Sequence, residues 1–302
     1  MDFKPKTFDE IAGQEKIKSV LKTFINYSKK TNTVVPSLLF LGNSGLGKSS
    51  IANVMANEIG SELYTVNCPQ VKSDKELFDI LNRLQTKDIL ILEEIHQLSR
   101  KLADSLLVAL EDFYYTSKGR RYSINEFTAI GATTDEGLVT PALRNRFKYK
   151  ARFVEYTKEE LVKVSYLVAQ RMGFKLNDKI AERISRVSRG VPREVAQNTE
   201  FIRMFMIGEE LKSINTEKFY EILSLRGFNK DGLRDHDLEY LKALEEDTLS
   251  LSILSSRIGL DVKTIQSDVE PYLIKLDLID INTSGRTLTQ QGLNYVRTQE
   301  LY

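Results

Sequence analysis

Along the first 150 residues, stretches of helical periodicity alternate with short β-prone runs. The runs lie at 37–41, 63–67, 89–92 and 127–131, and the segments 38–41 and 89–92 are unbroken apolar, the pattern of strands buried on both faces. Between them, apolar positions recur every three to four residues over 14–29, 48–59, 75–84 and 100–113, which predicts amphipathic helices. Strands separated by helices need crossover connections, so the sequence predicts a parallel sheet with helices on both faces.

Beyond Phe153 the strand signal gives out. Helical periodicity over 158–172, 178–188 and 193–207 predicts a separate helical subdomain. A polar stretch at 227–232 then opens a last unit with helices at 235–244, 251–258 and 262–273, followed by β-prone residues around a Ser-Gly turn at 279–288. Three helices and a hairpin predict a winged helix-turn-helix. The expected domains are therefore 1–154, 155–230 and 231–302.

A chain of 302 residues is long enough for two or three cores, and 28% charged with 41% hydrophobic residues excludes disordered and low-complexity classes. Lys and Arg number 43 against 42 Asp and Glu, so no overall field draws the chain to nucleic acid or anionic membranes, and a local patch must serve instead. The single cysteine, Cys68, and two distant histidines exclude a disulfide framework and a Cys/His zinc site. Cys68 is expected to be a small buried residue, and His96 to pack or cap. No apolar run approaches the roughly 18 residues of a membrane span, and the start MDFKPKTFDE lacks a secretory signal's apolar core. Cytoplasm is the expected location.

The chemistry begins at Gly42 Asn43 Ser44 Gly45 Leu46 Gly47 Lys48 Ser49, which fits G-x-x-x-x-G-K-[ST] between an expected strand and an expected helix. Gly45 and Gly47 let backbone N–H groups crowd around phosphate oxygens, Lys48 adds a point charge, and the Ser49 hydroxyl is a ligand for Mg²⁺. Nucleotide binding follows. The run Ile89 Leu90 Ile91 Leu92 ends in Glu93 and Glu94, where the first acid holds Mg²⁺ and the second activates water, although two acids at a strand end also suit a solvated edge. Glu93 stands where aspartate is usual, and a shift near 1 Å costs on the order of 100-fold in rate. The next strand delivers Thr133 and Thr134, whose hydroxyls can hold that water or report the γ-phosphate. Arg144 and Arg146 are candidate fingers for a neighbouring subunit or plain surface charge, and Arg193 opens a helix from which it can sense phosphate.

In order, these residues resemble the RuvB family of AAA+ motors. The likeness extends over nearly the whole chain: Lys4 to Glu10, Gly13 to Lys16, the phosphate loop, Glu94 Ile95 His96, Glu111 Asp112 Phe113, Ile130 to Thr134, Leu143 to Phe147, Gly190 with Pro192 Arg193, and Glu270 Pro271 Tyr272 Leu273 Ile274. The resemblance implies an AAA+ P-loop sheet domain, a helical lid and a C-terminal winged helix, forming a hexamer that hydrolyses ATP with Mg²⁺ and drives branch migration of Holliday junction DNA. It implies Gly45, Lys48, Ser49 and Ser50 as phosphate ligands and Tyr156 beside the nucleotide. Phe3 and Lys4 fall beside the adenine, Glu111, Asp112 and Phe113 at an intersubunit nucleotide contact, Arg146 as the trans-acting arginine and Arg193 as lid sensor.

Three departures qualify the resemblance. Glu93 is the first. The family hairpin that grips the partner RuvA is longer than the 113–126 segment here, and of the wing arginines expected on DNA only Arg286 remains, with Ile281 and Ser284 at the others. Residues 232–302 hold seven Lys and Arg against twelve Asp and Glu, so the winged helix is acidic where phosphate neutralisation would need the reverse. A nucleotide-gated binding or scaffold protein with weak ATPase and little independent helicase activity is the second reading.

Overall fold

The structure, a computed structural model, describes residues 5–117 and 119–299. By compactness the chain divides into two units, 1–175 with 190–197 and 176–189 with 198–302, so the border runs through the helical segment 155–230 and not along its edges.

The first unit contains a five-stranded parallel sheet of β1 (Leu38–Leu41), β2 (Leu63–Asn67), β3 (Ile89–Glu93), β6 (Thr128–Thr133) and β7 (Tyr149–Arg152), in the order β2-β3-β6-β1-β7. A separate hairpin pairs β4 (Tyr114–Ser117) with β5 (Arg120–Ser123). Side-chain alternation explains the two-sided cover. Leu38, Phe40, Ile89, Ile91 and Ile130 face a core completed by α1 (Glu15–Thr31) and α2 (Lys48–Ile59). Leu39, Leu41, Leu90, Leu92 and Ala129 face the opposite core, with α3 (Asp74–Leu81), α4 (Arg100–Asp112) and Leu143 of α5 (Pro141–Arg146). Side chains of Ser73, Ser99 and Thr157 cap α3, α4 and α6 (Lys158–Arg171) at their first turns. The sequence pattern misses α5 and β7: one is short, and the other is an edge strand whose side chains are largely solvated.

In the second unit lie α7 (Asp178–Val187), most of α8 (Pro192–Gly208), α9 (Thr216–Ser224) and the winged helix. The latter consists of α10 (Asp235–Ala243), α11 (Leu251–Ile258), α12 (Val262–Thr264), α13 (Glu270–Lys275), the wing β8 (Ile279–Asn282) and β9 (Gly285–Leu288), and α14 (Gln290–Gln299). A π-helical turn, Ile265–Val269, joins α12 to α13 within the predicted 262–273 helix. Pro271 accounts for it, since its ring crowds the carbonyl four residues back and it has no N–H to donate. Arg189, after α7, pairs with the fully buried Asp237 and lies over the Tyr272 ring.

Arg286, expected on DNA, is turned into the winged helix. Its Nε donates to Glu270 Oε1 at 2.8 Å, the oxygen that also accepts from the Tyr240 hydroxyl at 2.9 Å. Glu270 is 4% exposed, and its carboxylate holds the Arg286 guanidinium above its ordinary pKa. A carboxylate buried that deeply needs a cation, and here it consumes the one wing arginine.

Candidate functional site

Between β1 and α2 the chain turns through Gly42, Gly45 and Gly47, all at positive φ. At Gly45 a Cβ would lie 2.7 Å from Val191 Cγ1 and 3.1 Å from Arg193 Cβ, so only glycine admits the 191–193 segment there. That segment is tied down by Arg193 N–H donating to the Gly45 carbonyl at 3.3 Å and Arg193 Nη1 donating to Ser44 Oγ at 3.0 Å. Lys48 Nζ donates to the carbonyls of Gly42 (2.6 Å) and Asn43 (2.9 Å). Burial lowers the Lys48 pKa, opposed by the charges of Glu94 and Glu93. The ammonium therefore sits in poorly hydrated surroundings, and its direct partners among the described residues are neutral.

Parallel register brings the ends of β3 and β6 beside this loop. Ser49 Oγ donates to Glu93 Oε1 at 2.5 Å, and Thr134 Oγ1 to Glu94 Oε2 at 3.3 Å. Thr133, expected at the reacting water, is fully buried, and its hydroxyl is spent on Asp135 and His96. Thr134 is the hydroxyl that reaches the acid. Cys68 is buried, and desolvation, with the charges of Glu93 and Glu94, pushes its thiol up to about 12, which removes it as a nucleophile.

These groups open on a cavity of about 460 Å³ lined by Ser44, Gly45, Gly47, Lys48, Ser49, Ser50, Glu93, Glu94, Tyr156 and Arg193. Its other wall is apolar: Ile11, Ala12, Val164, Leu167, Val168, Pro192 and Ala196, beside an ion pair of Arg171 with Glu10 at 2.5 Å. The Lys6 N–H and then Arg171 hold the Glu10 carboxyl below the usual range. A polar cradle joined to an apolar slot suits a nucleotide, phosphates at one end and base at the other. The slot was missed from sequence because its residues come from three separated segments, and its only trace is the apolar stripe of α6. Phe3 and Lys4 lie outside the described residues, and the adjacent Pro5 lines the cavity. Tyr156 is buried, its hydroxyl 3.4 Å from the Leu46 carbonyl, and burial raises its phenol pKa.

Two family models match the chain, the Holliday junction DNA helicase RuvB P-loop domain over residues 3–153 and the RuvB C-terminal winged helix domain over 230–297. The chain belongs to the RuvB family. Among curated RuvB proteins, each named Holliday junction branch migration complex subunit RuvB, that of Campylobacter hominis is 33% identical across 98% of this chain and 92% of its own. That of Ehrlichia canis is 32% identical across 99% and 94%. The solved Thermotoga maritima RuvB Holliday junction branch migration motor superposes with a TM-score of 0.85 at 28% identity, covering 98% of both chains. RuvB membership makes this chain a P-loop ATPase with a nucleotide site.

The residues that the RuvB resemblance assigns to a subunit contact do not line this chain's own cavity. Arg146 ends α5, its Nη2 donating to the Leu110 carbonyl at 3.0 Å and its Nη1 3.6 Å from Glu111 Oε1. Glu111 and Asp112 are exposed, while the Phe113 ring packs edge-on against Phe127. No described helix is long and apolar enough to cross a membrane.

Proposed function

We propose that this chain is an ATP-driven motor of Holliday junction branch migration, working as a cytoplasmic homo-hexamer on junction or duplex DNA. The observation that carries the reading is the single cavity that joins Lys48, Ser49, Glu94 and Arg193 to an apolar base slot, in a chain that also matches the RuvB winged helix. Lys48 leaves its two backbone carbonyls for the phosphates of ATP, a favourable exchange for a half-desolvated ammonium. Arg193 exchanges the neutral Ser44 hydroxyl for phosphate in the same way, reporting the bound state to the helix it opens.

Glu94 orients the attacking water and takes its proton as the γ-phosphoryl group transfers. Ser49 and Glu93 suit a hard cation, which takes oxygen ligands and retains several waters. They would hold Mg²⁺, which neutralises charge on the phosphates when bound. Arg146, outside its own chain's cavity, serves the site of an adjacent subunit, with Glu111, Asp112 and Phe113 at the same contact. A RuvA-like partner would meet the β4–β5 hairpin, which is shorter than the family's and offers it less surface. ATPase assay with and without a four-way junction tests this reading: turnover stimulated by the junction and abolished by Glu94→Gln is expected, and turnover indifferent to both rejects it.

The Ser49–Glu93 bond and the engagement of Arg286 with Glu270 favour the second reading, a nucleotide-gated scaffold with slow turnover. Junction binding that responds to ATP without strand movement selects it.

A further inference from the structure

We propose that His96 is a positioning residue for Glu94, holding its carboxylate in the orientation the reaction needs; this rests on the reading of Glu94 as the group that activates water. Glu94 adopts a left-handed conformation, φ 51 and ψ 48, which non-glycine residues adopt only when their surroundings hold them there. Two anchors do so. The Gln97 N–H donates to the Glu94 carbonyl at 2.8 Å, and Ile95 is buried in the sheet core, where its Cδ1 packs against Gly131.

The backbone turn thus aims Glu94, but its side chain remains partly solvated with three torsions to settle. His96 Nδ1 lies 2.8 Å from Thr133 Oγ1 and 3.4 Å from Glu94 Oε2. Thr133 Oγ1 has one hydrogen, which goes to the Asp135 carbonyl at 2.9 Å. The hydrogen between His96 and Thr133 therefore belongs to Nδ1, and Thr133 fixes the ring with its polar N–H edge in electrostatic contact with Glu94 Oε2, 3.4 Å away. Thr134 Oγ1 donates to the same oxygen, so Oε2 has one hydrogen bond and the His96 ring edge beside it, while no described side chain is hydrogen-bonded to Oε1. Oε2 is thereby assigned to orientation and Oε1 to the water. Because Thr133 ends β6, whose register with β1 runs to the start of the phosphate loop, His96 references the base to the sheet that carries the loop.

The test is steady-state ATP turnover of the full-length chain bearing His96→Ala, His96→Asn or Glu94→Gln, with nucleotide affinity measured separately by a fluorescent ADP analogue. Asparagine can place an amide N–H near the position of Nδ1; alanine cannot. His96→Ala should lower kcat about tenfold or more, the scale of a sub-ångström misplacement, with ADP affinity changed less than twofold. His96→Asn should recover much of that loss. Equal kcat in His96→Ala and the natural chain, with Glu94→Gln inactive, overturns the positioning role and leaves Glu94 standing. Equal loss in Ala and Asn variants, with ADP affinity falling alongside, also overturns it in favour of simple packing. Full turnover in Glu94→Gln overturns the reading beneath it.

Discussion

The phosphate-loop end of the sheet and the winged helix treat their cations in opposite ways. Lys48 and Arg193 rest on backbone carbonyls and a serine hydroxyl, neutral partners that a phosphate oxygen readily outbids. Arg286 is held by a carboxylate that is itself buried, so leaving it would strand a charge at a cost of several kcal/mol. The same residue type thus rests on a neutral hydroxyl in one region and is a strut in the other. What distinguishes them is the charge and burial of the partner, which no count of basic residues reveals.

Substitutions can break or sharpen this contrast. The largest effect is expected from Lys48→Ala, which should cut ATP turnover about 100-fold or more, because electrostatic stabilisation of the transferring phosphoryl group is a dominant catalytic term; steady-state phosphate release measures it. Arg286→Met should lower stability by about 2–4 kcal/mol in urea unfolding by stranding Glu270, and adding Glu270→Gln should return part of that loss. Junction affinity of the folded Arg286→Met variant should stay within about twofold of the natural chain, whereas a phosphate contact would be seen as a weaker complex and a salt slope reduced by about 1.

Smaller effects sharpen the picture. Glu93→Asp shortens the arm that now reaches Ser49 and should raise turnover by up to about tenfold. Unchanged turnover would show that the extra methylene is accommodated. Ser284→Arg places a cation on the exposed wing tip, where Ser284 now donates to Asn282 Oδ1 from both its N–H and its hydroxyl. It should strengthen junction binding a few-fold and steepen the salt dependence by about one unit.

Local patterns made much of this legible. Helix α2 starts at Lys48 and strand β2 spans 63–67 as their periodicity indicates, and the phosphate loop reads directly because its function is carried by backbone N–H groups that only its glycines expose. Contacts between distant segments were not legible. Thr133 and Thr134 are indistinguishable in sequence, yet the first is the last residue of the fully buried strand β6 and the second lies just beyond it, exposed and able to reach Glu94. Likewise Val164, Leu167 and Ala196 gather into one slot from two helices. Nothing in the acidic composition of 232–302 indicates that Glu270, sixteen positions before Arg286, takes its guanidinium inward.

The most direct test of the central claim, an ATP site completed by a neighbour's arginine, mixes two inactive chains. Lys48→Ala retains Arg146 but has a crippled cradle, and Arg146→Ala retains the cradle but lacks the arginine. In a head-to-tail ring assembled from equal amounts on junction DNA, about one site in four pairs an intact cradle with an intact arginine, so turnover should return to roughly a quarter of the natural level. Turnover that stays at the sum of the two separate variants would contradict the account.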